Sequence, residues 1–272
     1  MLPLYEVTLL AGIQGLAEAL PVSRSGHDAV AWLWLEPGRR AATLEGLLHL
    51  GTASALLVAA RQRLLAALGE GLRAIARPAL LRTSPPAHDA ATLVIAACAS
   101  LVVRVVLRPF VELWSPAPIA LGVGLVITGF ALASTRFAPR PHTDAPSLPL
   151  AGLLGLGHGL GALPGASDVG AALVLLAWMG VRASRALDLA LGLSALTLLA
   201  AFGEAAAAAW RGGTGLATGA VTLGLVTAFL GATIAAGLLR ALLARKSLPL
   251  LALWVVPLGF ATLAYARVLP VF

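Results

Sequence analysis

The chain alternates long apolar runs with short polar segments, and six of the apolar runs are long enough to cross a membrane. A helix needs about 20 apolar residues to span the hydrocarbon core of a bilayer. The six predicted spans cover residues 41–60, 88–108, 117–135, 186–209, 214–240 and 248–268. The pattern therefore predicts an all-α polytopic membrane protein with six transmembrane helices.

Two further apolar regions, residues 4–35 and 149–181, are interrupted by polar segments at residues 21–27 and 164–170. Each interruption places Pro, Gly and polar side chains where a span would otherwise continue. The stretches on either side are too short to cross singly, so we predict two re-entrant helical hairpins. Irregular backbone within a membrane is tolerated where it lines a polar cavity, so we expect the functional site at the two tips.

The distribution of basic residues favours this arrangement. If both hairpins return to the side from which they entered, one face receives twelve Arg and Lys residues and the other receives six. Because basic residues are enriched on the cytoplasmic side, this count puts both termini outside. The twelve are Arg61, Arg63, Arg73, Arg77, Arg82, Arg136, Arg140, Arg182, Arg185, Arg240, Arg245 and Lys246, and the six are Arg39, Arg40, Arg104, Arg108, Arg211 and Arg267.

The same topology predicts an inverted repeat. The first hairpin enters from outside and the second from inside, so their tips can meet, and three spans follow each hairpin. Both tips also run from a Pro to a Gly through serines. We predict a single integral membrane domain in which residues 1–135 form the first repeat and 149–268 the second. Residues 73–89 and 136–147 are predicted to be loops.

Composition supports a membrane protein and excludes other classes. Hydrophobic residues make up 59% of the chain and charged residues 11%, and the mean hydropathy is +0.92. No segment is polar enough to form a soluble domain. The net charge of +7 comes from loop residues without an aromatic and basic surface, so we expect membrane lipids as partners and no nucleic acid.

The first tip and the helix before it carry residue types that suit phosphoryl transfer. Arg24 can grip a phosphate with two parallel hydrogen bonds, and Gly26, with the half-helix beginning near His27, offers backbone N–H groups. Glu18 is a candidate general base or metal ligand. Gln14 lies on the same helical face as Glu18 and offers an amide oxygen to a cation.

Three side chains of the tip are alternative nucleophiles or acids. Ser23 or Ser25 can attack a phosphorus atom if a base lies close by. His27 can act as nucleophile or as general acid. The sequence leaves these alternatives open.

The polar positions resemble the signatures of a known family, the bacterial undecaprenyl-pyrophosphate phosphatases, or bacitracin-resistance family. The match covers the whole chain in order and spacing. The residues that carry it are Glu18, Pro21, Ser23, Ser25, Gly26, His27, His49, Leu50, Gly51, Thr52, Pro164, Gly165, Ser167 and Ser194.

The resemblance implies an enzyme of the bacterial inner membrane with six spans, two re-entrant hairpins and an inverted repeat. Such enzymes remove the terminal phosphate of undecaprenyl pyrophosphate with a divalent cation, Mg²⁺ or Ca²⁺, and regenerate the lipid carrier for cell-wall synthesis. The implied partner is the polyprenyl pyrophosphate lipid. By the same resemblance, Ser167 lies in the second phosphate-binding tip.

This chain departs from the family pattern at three positions. Gln14 replaces a usual Glu, Arg24 replaces a Ser, and Asp168 replaces the arginine expected to hold phosphate in the second hairpin. In one interpretation Arg24 takes over the lost arginine, while Asp168 orients it or helps to bind a cation. In the other interpretation Arg24 and Asp168 neutralise each other in an inactive site.

Two functions follow from these interpretations. The first is an undecaprenyl-pyrophosphate phosphatase with an altered phosphate grip. The alternative is an inactive family member that acts as a polyprenyl-phosphate transporter or flippase, or as a lipid-binding partner protein. The retained Glu18, Ser23 and His27 favour the enzyme.

Several polar or aromatic residues outside the tips have two readings. Glu45 and His158 either line the site or serve the helix end and the packing. Asp188 and Glu204 are predicted to be interhelical or boundary groups, and Trp254 an anchor at the membrane interface.

Overall fold

The computed structural model describes residues 3–34, 42–212 and 216–268, and twelve α-helices account for most of them. In chain order these are α1 (Leu4–Ala19), α2 (Arg24–Trp34), α3 (Ala42–Ala59), α4 (Arg61–Ala76), α5 (Leu80–Thr83), α6 (Pro85–Trp114), α7 (Pro118–Ser134), α8 (Leu148–Leu160), α9 (Asp168–Trp178), α10 (Ala183–Gly212), α11 (Thr218–Ala244) and α12 (Ala252–Val268). Short 3₁₀ turns, Thr135–Phe137 and Leu248–Leu251, follow α7 and precede α12.

Six of these helices coincide with the six predicted spans. The helices α6, α7, α10, α11 and α12, the last with its preceding turn, are long and apolar enough to cross a membrane. The sixth, α3, is apolar and shorter. Proline in the first turn of α6, α7 and α8 fits a position whose N–H has no intrahelical partner. The chain is an all-α polytopic membrane protein.

The two interrupted regions form pairs of shorter helices, α1 with α2 and α8 with α9. Both α2 and α9 contain 11 residues. At a rise of 1.5 Å per residue each is about 16 Å long, against about 30 Å for the hydrocarbon core. Neither can cross alone, as the sequence predicts. The helix α2 begins at Arg24, earlier than the predicted start near His27.

The predicted loop over residues 73–89 is wrong, because most of that segment is helical. It contains the end of α4, all of α5 and the start of α6. The arginines of α4 mask its helical pattern in the sequence. In the structure its apolar residues recur with the period of a helix and form an exposed stripe. An arginine-rich helix with such a stripe is typical of a membrane interface. The stripe consists of Leu65, Leu68, Leu72 and Ile75.

The helices pack around α10, whose apolar stretch is 61% buried, compared with 22% for α12 at the periphery. The main pairings are α1 with α11, α8 with α6, α3 with α10, α7 with α12 and α3 with α11. Exchanging the two predicted repeats maps the first two pairings onto each other, the third and fourth onto themselves, and the last onto the less extensive pairing of α10 with α6. This is the packing expected of an inverted repeat, which, with boundaries 1–135 and 149–268, stays a prediction.

Candidate active site

The two hairpin tips are in direct contact. Ser25 Oγ accepts a hydrogen bond from the Gly165 N–H at 2.9 Å, and Thr128 of α7 donates to the Gly165 carbonyl oxygen at 3.2 Å. Gly165 has a φ of +76°, and a side chain there would collide with the Leu121 carbonyl oxygen. Because a left-handed residue this close to backbone must be glycine, the position fixes the second tip against α7.

Both tips start their second helix with the same cap. Ser23 Oγ accepts a hydrogen bond from the Gly26 N–H at 3.2 Å, and Ser167 Oγ accepts one from the Gly170 N–H at 3.1 Å. A serine that bonds the third N–H of a helix satisfies one of its open donors. The Gly26 N–H, predicted to face a phosphate, is therefore engaged by Ser23, and the Ser167 hydroxyl serves as a helix cap.

Arg24 lies at the centre of a charge cluster on the first tip. Its Nε lies 2.8 Å from Glu18 Oε2, and its Nη1 lies 3.0 Å from Asp28 Oδ2 one turn later. Its Nη1 also donates to Gln14 Oε1 at 3.4 Å. Glu18 Oε2 is buried and accepts no hydrogen bond from the residues that the structure describes, so its contact with Arg24 is purely ionic. The tip thus combines a guanidinium with a buried carboxylate oxygen that has a free lone pair.

The amide of Gln14 connects this cluster to α3. Its Nε2 donates to His49 Nδ1 at 2.8 Å. Because an amide nitrogen can only donate, Nδ1 is unprotonated and His49 is a neutral imidazole with its proton on Nε2. Glu45, one turn earlier on α3, is half-buried and lies on the same helical face as His49. Of the two readings of Glu45, this position favours the wall of the site.

The second tip carries Asp168, whose counter-ion comes from a distant helix. Arg104 of α6 places its Nη2 2.7 Å from Asp168 Oδ2, while Oδ1 accepts the Val169 N–H at 2.9 Å. The charges of Asp168, Arg24 and Arg104 all act on the Glu18 carboxylate. The two tips and α6 therefore form one continuous charged site.

His158 is fully buried beneath the second tip. Its Nδ1 lies 2.9 Å from Ser100 Oγ and its Nε2 lies 3.0 Å from Ser194 Oγ, which ties α8 to α6 and α10. Its Nε2 is also 4.0 Å from Asp168 Oδ2. Because both ring nitrogens are engaged by serines, the geometry favours the packing role of His158 over a role in lining the cavity.

The direct pairing of Arg24 with Asp168, considered from the sequence, is wrong. Arg24 pairs with Glu18 and Asp28, whereas Asp168 pairs with Arg104. The physical reason is proximity, since the first hairpin supplies two carboxylates to its own arginine and α6 supplies an arginine to the second tip. Asp168 can therefore orient Arg104, and the predicted orientation of Arg24 by Asp168 has no direct contact behind it.

Arg104 is the residue that the sequence analysis missed. The distribution of basic residues counts it on the outer face, because it lies near the end of the predicted span 88–108. The helix α6 continues to Trp114, so Arg104 lies within the membrane-spanning helix. The signal was present, since Arg104 interrupts an otherwise continuous run of valines and leucines, and charged groups inside apolar helices usually mark function.

The imidazole of His27 is engaged on both sides. Its Nδ1 lies 2.8 Å from the Ser23 carbonyl oxygen, and the Trp254 Nε1–H donates to its Nε2 at 3.0 Å. The two rings stack with centroids 6.2 Å apart. Trp254, predicted to be an interfacial anchor, thus contacts the first tip from α12. The lone pair that His27 would use as a nucleophile is occupied in this arrangement.

Ser23 is fully buried and has a φ of 72°, which is rare for a residue other than glycine. Its Oγ lies 3.4 Å from Ser25 Oγ, so the two candidate nucleophiles are adjacent. Strained residues of this kind persist only where their surroundings hold them, and they cluster at functional sites.

The divalent cation implied by the resemblance has oxygen donors available on α1. Among the described residues there is no group of three or more His, Cys, Asp or Glu that could hold a metal. Mg²⁺, however, is commonly bound by one or two carboxylates together with substrate phosphates. The Glu18 carboxylate and the Gln14 amide oxygen on the same helical face fit that mode.

Other polar groups lie apart from the tips. Asp188 pairs with Arg63 of α4, as expected of an interhelical group, and Glu204 is exposed. A buried ion pair joins Asp89 of α6 to Arg185 of α10, with Nη2 2.6 Å from each carboxylate oxygen. This pair lines a cavity of about 1000 Å³ that contains none of the candidate site residues.

These features define a class, the polytopic membrane proteins in which two broken helical hairpins bring carboxylate and guanidinium groups together. The chain belongs to the family described as bacitracin resistance protein BacA, whose model matches residues 7–261. The resemblance read from the tip motifs is thereby confirmed.

Several similar proteins carry the name undecaprenyl-diphosphatase. The protein from Treponema denticola is 25% identical over 268 residues, which cover 96% of this chain and 97% of the relative. The protein from Cereibacter sphaeroides is 27% identical over 267 residues, or 95% of each chain. The protein from Rubrobacter xylanophilus is 31% identical over 191 residues, or 68% of this chain and 70% of the relative.

Proposed function

We propose that the protein is an undecaprenyl-pyrophosphate phosphatase, which converts the lipid pyrophosphate into the monophosphate carrier. The observation that carries the proposal is the buried ionic contact, 2.8 Å long, between Glu18 Oε2 and Arg24 Nε at a hairpin tip. Relatives named undecaprenyl-diphosphatase support the same reaction. They do not favour the alternative of an inactive polyprenyl-phosphate transporter or lipid-binding partner.

The proposed mechanism assigns the phosphate grip to Arg24 and the proton to Glu18. Arg24 presents a planar fork of N–H donors to phosphate oxygens. A phosphate that binds this fork draws the guanidinium away from Glu18 and leaves the carboxylate free as a base. A water oxygen then bonds to the terminal phosphorus, its proton passes to Glu18 Oε2, and the bridging P–O bond breaks. The products are inorganic phosphate and the lipid monophosphate.

The serines of the first tip position the phosphate in this proposal. Ser23 and Ser25 accept hydrogen bonds from Gly26 and Gly165, and a hydrogen bond between the two hydroxyls uses only one of their protons, so the other is available to a phosphate oxygen. His27, with its Nε2 engaged by Trp254, supports the tip. A covalent intermediate on Ser23 or Ser25 is the competing route, and a Ser23→Ala protein that retains activity would exclude Ser23 as the nucleophile.

A divalent cation, Mg²⁺ or Ca²⁺, belongs to the proposal. Glu18 Oε1, the oxygen that does not take the proton, and Gln14 would hold it together with the substrate phosphates. It would supply further neutralisation of the charge that develops on the phosphate oxygens.

We further propose that the protein lies in the bacterial inner membrane with re-entrant hairpins and both termini on the periplasmic side. The excess of basic residues on one face supports this orientation. In this orientation the exposed apolar stripe and the arginines of α4 also lie on the cytoplasmic face. Accessibility of a cysteine placed in the 136–147 loop, in a Cys98→Ser background, tests the orientation, since labelling from the periplasm would reverse it.

The function is tested by phosphate release from undecaprenyl pyrophosphate with purified protein in detergent, with and without Mg²⁺ or Ca²⁺. We expect metal-dependent release that Glu18→Ala abolishes and that Glu204→Ala, an exposed control, preserves. A folded wild-type protein that releases no more phosphate than Glu18→Ala would leave the non-catalytic alternative.

A further inference from the structure

The pairing of Arg104 with Asp168 leaves part of the arginine unused. The guanidinium has five N–H donors, and Nη2 contacts Asp168 Oδ2 at 2.7 Å. Its Nε is buried and has no hydrogen-bond partner among the residues that the structure describes. A buried donor without a partner is costly, so its retention indicates a bonding partner that arrives from outside the chain.

A second buried ion pair of the protein shows what a purely structural arginine looks like. Arg185 places Nη2 2.6 Å from both oxygens of Asp89, and its Nε donates to the Asp144 carbonyl oxygen at 3.1 Å. The Nε of Arg185 therefore has a hydrogen-bond partner within the chain, whereas the Nε of Arg104 has none among the described residues. The difference separates a closed ion pair from one that is ready to accept a ligand.

The position of Arg104 matches a substrate with two phosphates. Arg24 lies on the first tip and contacts Glu18, Arg104 contacts Asp168 on the second tip, and the Ser25–Gly165 hydrogen bond joins the two tips, so the two guanidinium groups flank the same site. Arg24 approaches from the first tip and Arg104 from α6. Two forked cations on either side of one carboxylate suit the two neighbouring phosphates of a pyrophosphate.

We propose that Arg104 binds one phosphate of the pyrophosphate while Arg24 binds the other, and that Asp168 is a positioning residue that aims Arg104. This inference rests on the proposed function for its substrate. It explains the aspartate at a tip where the family carries an arginine, because the positive charge now reaches the tip from α6.

The test compares Arg104→Ala with wild type in kcat/KM and in binding of inorganic pyrophosphate. We expect a loss of about 100-fold in kcat/KM, with KM raised, and weaker pyrophosphate binding. The double variant Arg104→Ala with Asp168→Arg returns an arginine to the tip and should regain at least about tenfold over Arg104→Ala. The matched control is Arg185→Ala, which removes a buried arginine outside the site and should change stability without changing KM.

Removing one partner of a buried pair can unfold the protein, so Arg104→Gln with Asp168→Asn, which removes both charges, is measured as well. If this folded variant binds pyrophosphate as tightly as wild type, the proposal is overturned. A failure of the Asp168→Arg double variant to exceed Arg104→Ala, with both folded, also overturns it. If wild type releases no phosphate yet binds pyrophosphate through Arg104, the proposed function fails and the binding site stands.

Discussion

The two hairpin tips begin alike and differ in where their charges find partners. Each has a serine cap followed by a charged residue, Arg24 in the first tip and Asp168 in the second. Arg24 is neutralised within its own hairpin by Glu18 and Asp28, whereas Asp168 depends on an arginine from α6. The first tip is therefore a self-contained charged unit, and the second is completed by the surrounding fold.

This difference indicates that the first tip carries out the reaction and that the second tip supports the site. The first tip holds the buried Glu18 carboxylate and the adjacent hydroxyls, so we expect its variants to change turnover. The second tip holds a helix cap, a left-handed glycine and a charge shared with α6, so we expect its variants to change stability or substrate binding. Variants of the two tips should consequently fall into different kinetic classes.

The largest effect is expected at the carboxylate of the first tip. Glu18→Gln should lower kcat about 1000-fold, because the amide cannot take up a proton. Ser167→Ala in the second tip should change kcat less than about fivefold and lower the free energy of unfolding by about 1 kcal/mol through loss of the cap. Phosphate release and thermal melting in detergent measure both, and equal losses of kcat would erase the division between the tips.

Arg24→Lys should lower kcat/KM about 100-fold, because an ammonium keeps the charge and loses the two-pronged contact with phosphate. Its match is Arg63→Lys, which preserves an ionic contact with Asp188 away from the tips. Steady-state kinetics on the same lipid preparation compares the two. Full activity of Arg24→Lys would reduce the role of Arg24 to charge alone.

We expect only variants of the first hairpin to change how phosphate release depends on the cation. Chelation by EDTA should stop phosphate release, and added Mg²⁺ should restore it. Gln14→Glu should lower the Mg²⁺ concentration for half-maximal activity about tenfold, because it adds a negative ligand beside Glu18. Gln62→Glu, the same change at an exposed position of α4, is the control for the change of net charge, and the same shift with both variants would remove Gln14 from the cation site.

The smallest effects concern the backbone of the two tips, each of which has a residue with positive φ. Gly165→Ala should destabilise the protein by about 1–3 kcal/mol, since it combines strain with a collision against α7. Ser23→Gly should change stability by less than about 1 kcal/mol, because relief of the strained φ offsets the loss of the cap. Thermal melting ranks the two, and a reversed order would mean that the first tip is the more rigid.

The architecture followed from the sequence because bilayer thickness imposes it. Apolar runs of sufficient length predicted the five helices that can cross a membrane and the shorter α3, and the polar interruptions at Pro21 and Pro164 predicted the four half-length helices. The sequence analysis did not predict the helix α4, because its arginines lower the average hydropathy of the segment. Its apolar residues nevertheless recur with a helical period. The mean hydropathy of a segment does not detect apolar residues that lie on one face of a helix.

The site was predictable where its partners are local and not where they are distant. Gln14, Glu18 and Arg24 lie close together in sequence, and they also meet in the structure. Arg104 and Trp254 reach the tips from other helices, and spacing along a chain carries no information about such contacts. The arginine could have been recognised from its apolar surroundings, whereas nothing in the sequence pairs Trp254 with His27.

The polar contacts at the tips have a consequence for how such a protein can evolve. Ser25 with Gly165, Arg104 with Asp168, and Trp254 with His27 each join the first half of the chain to the second. If the halves descend from one ancestral gene whose product paired with a second copy of itself, the two halves have since come to contribute different residues to these contacts. A homodimer of either half alone would lack these three contacts, because each contact takes one residue from each half.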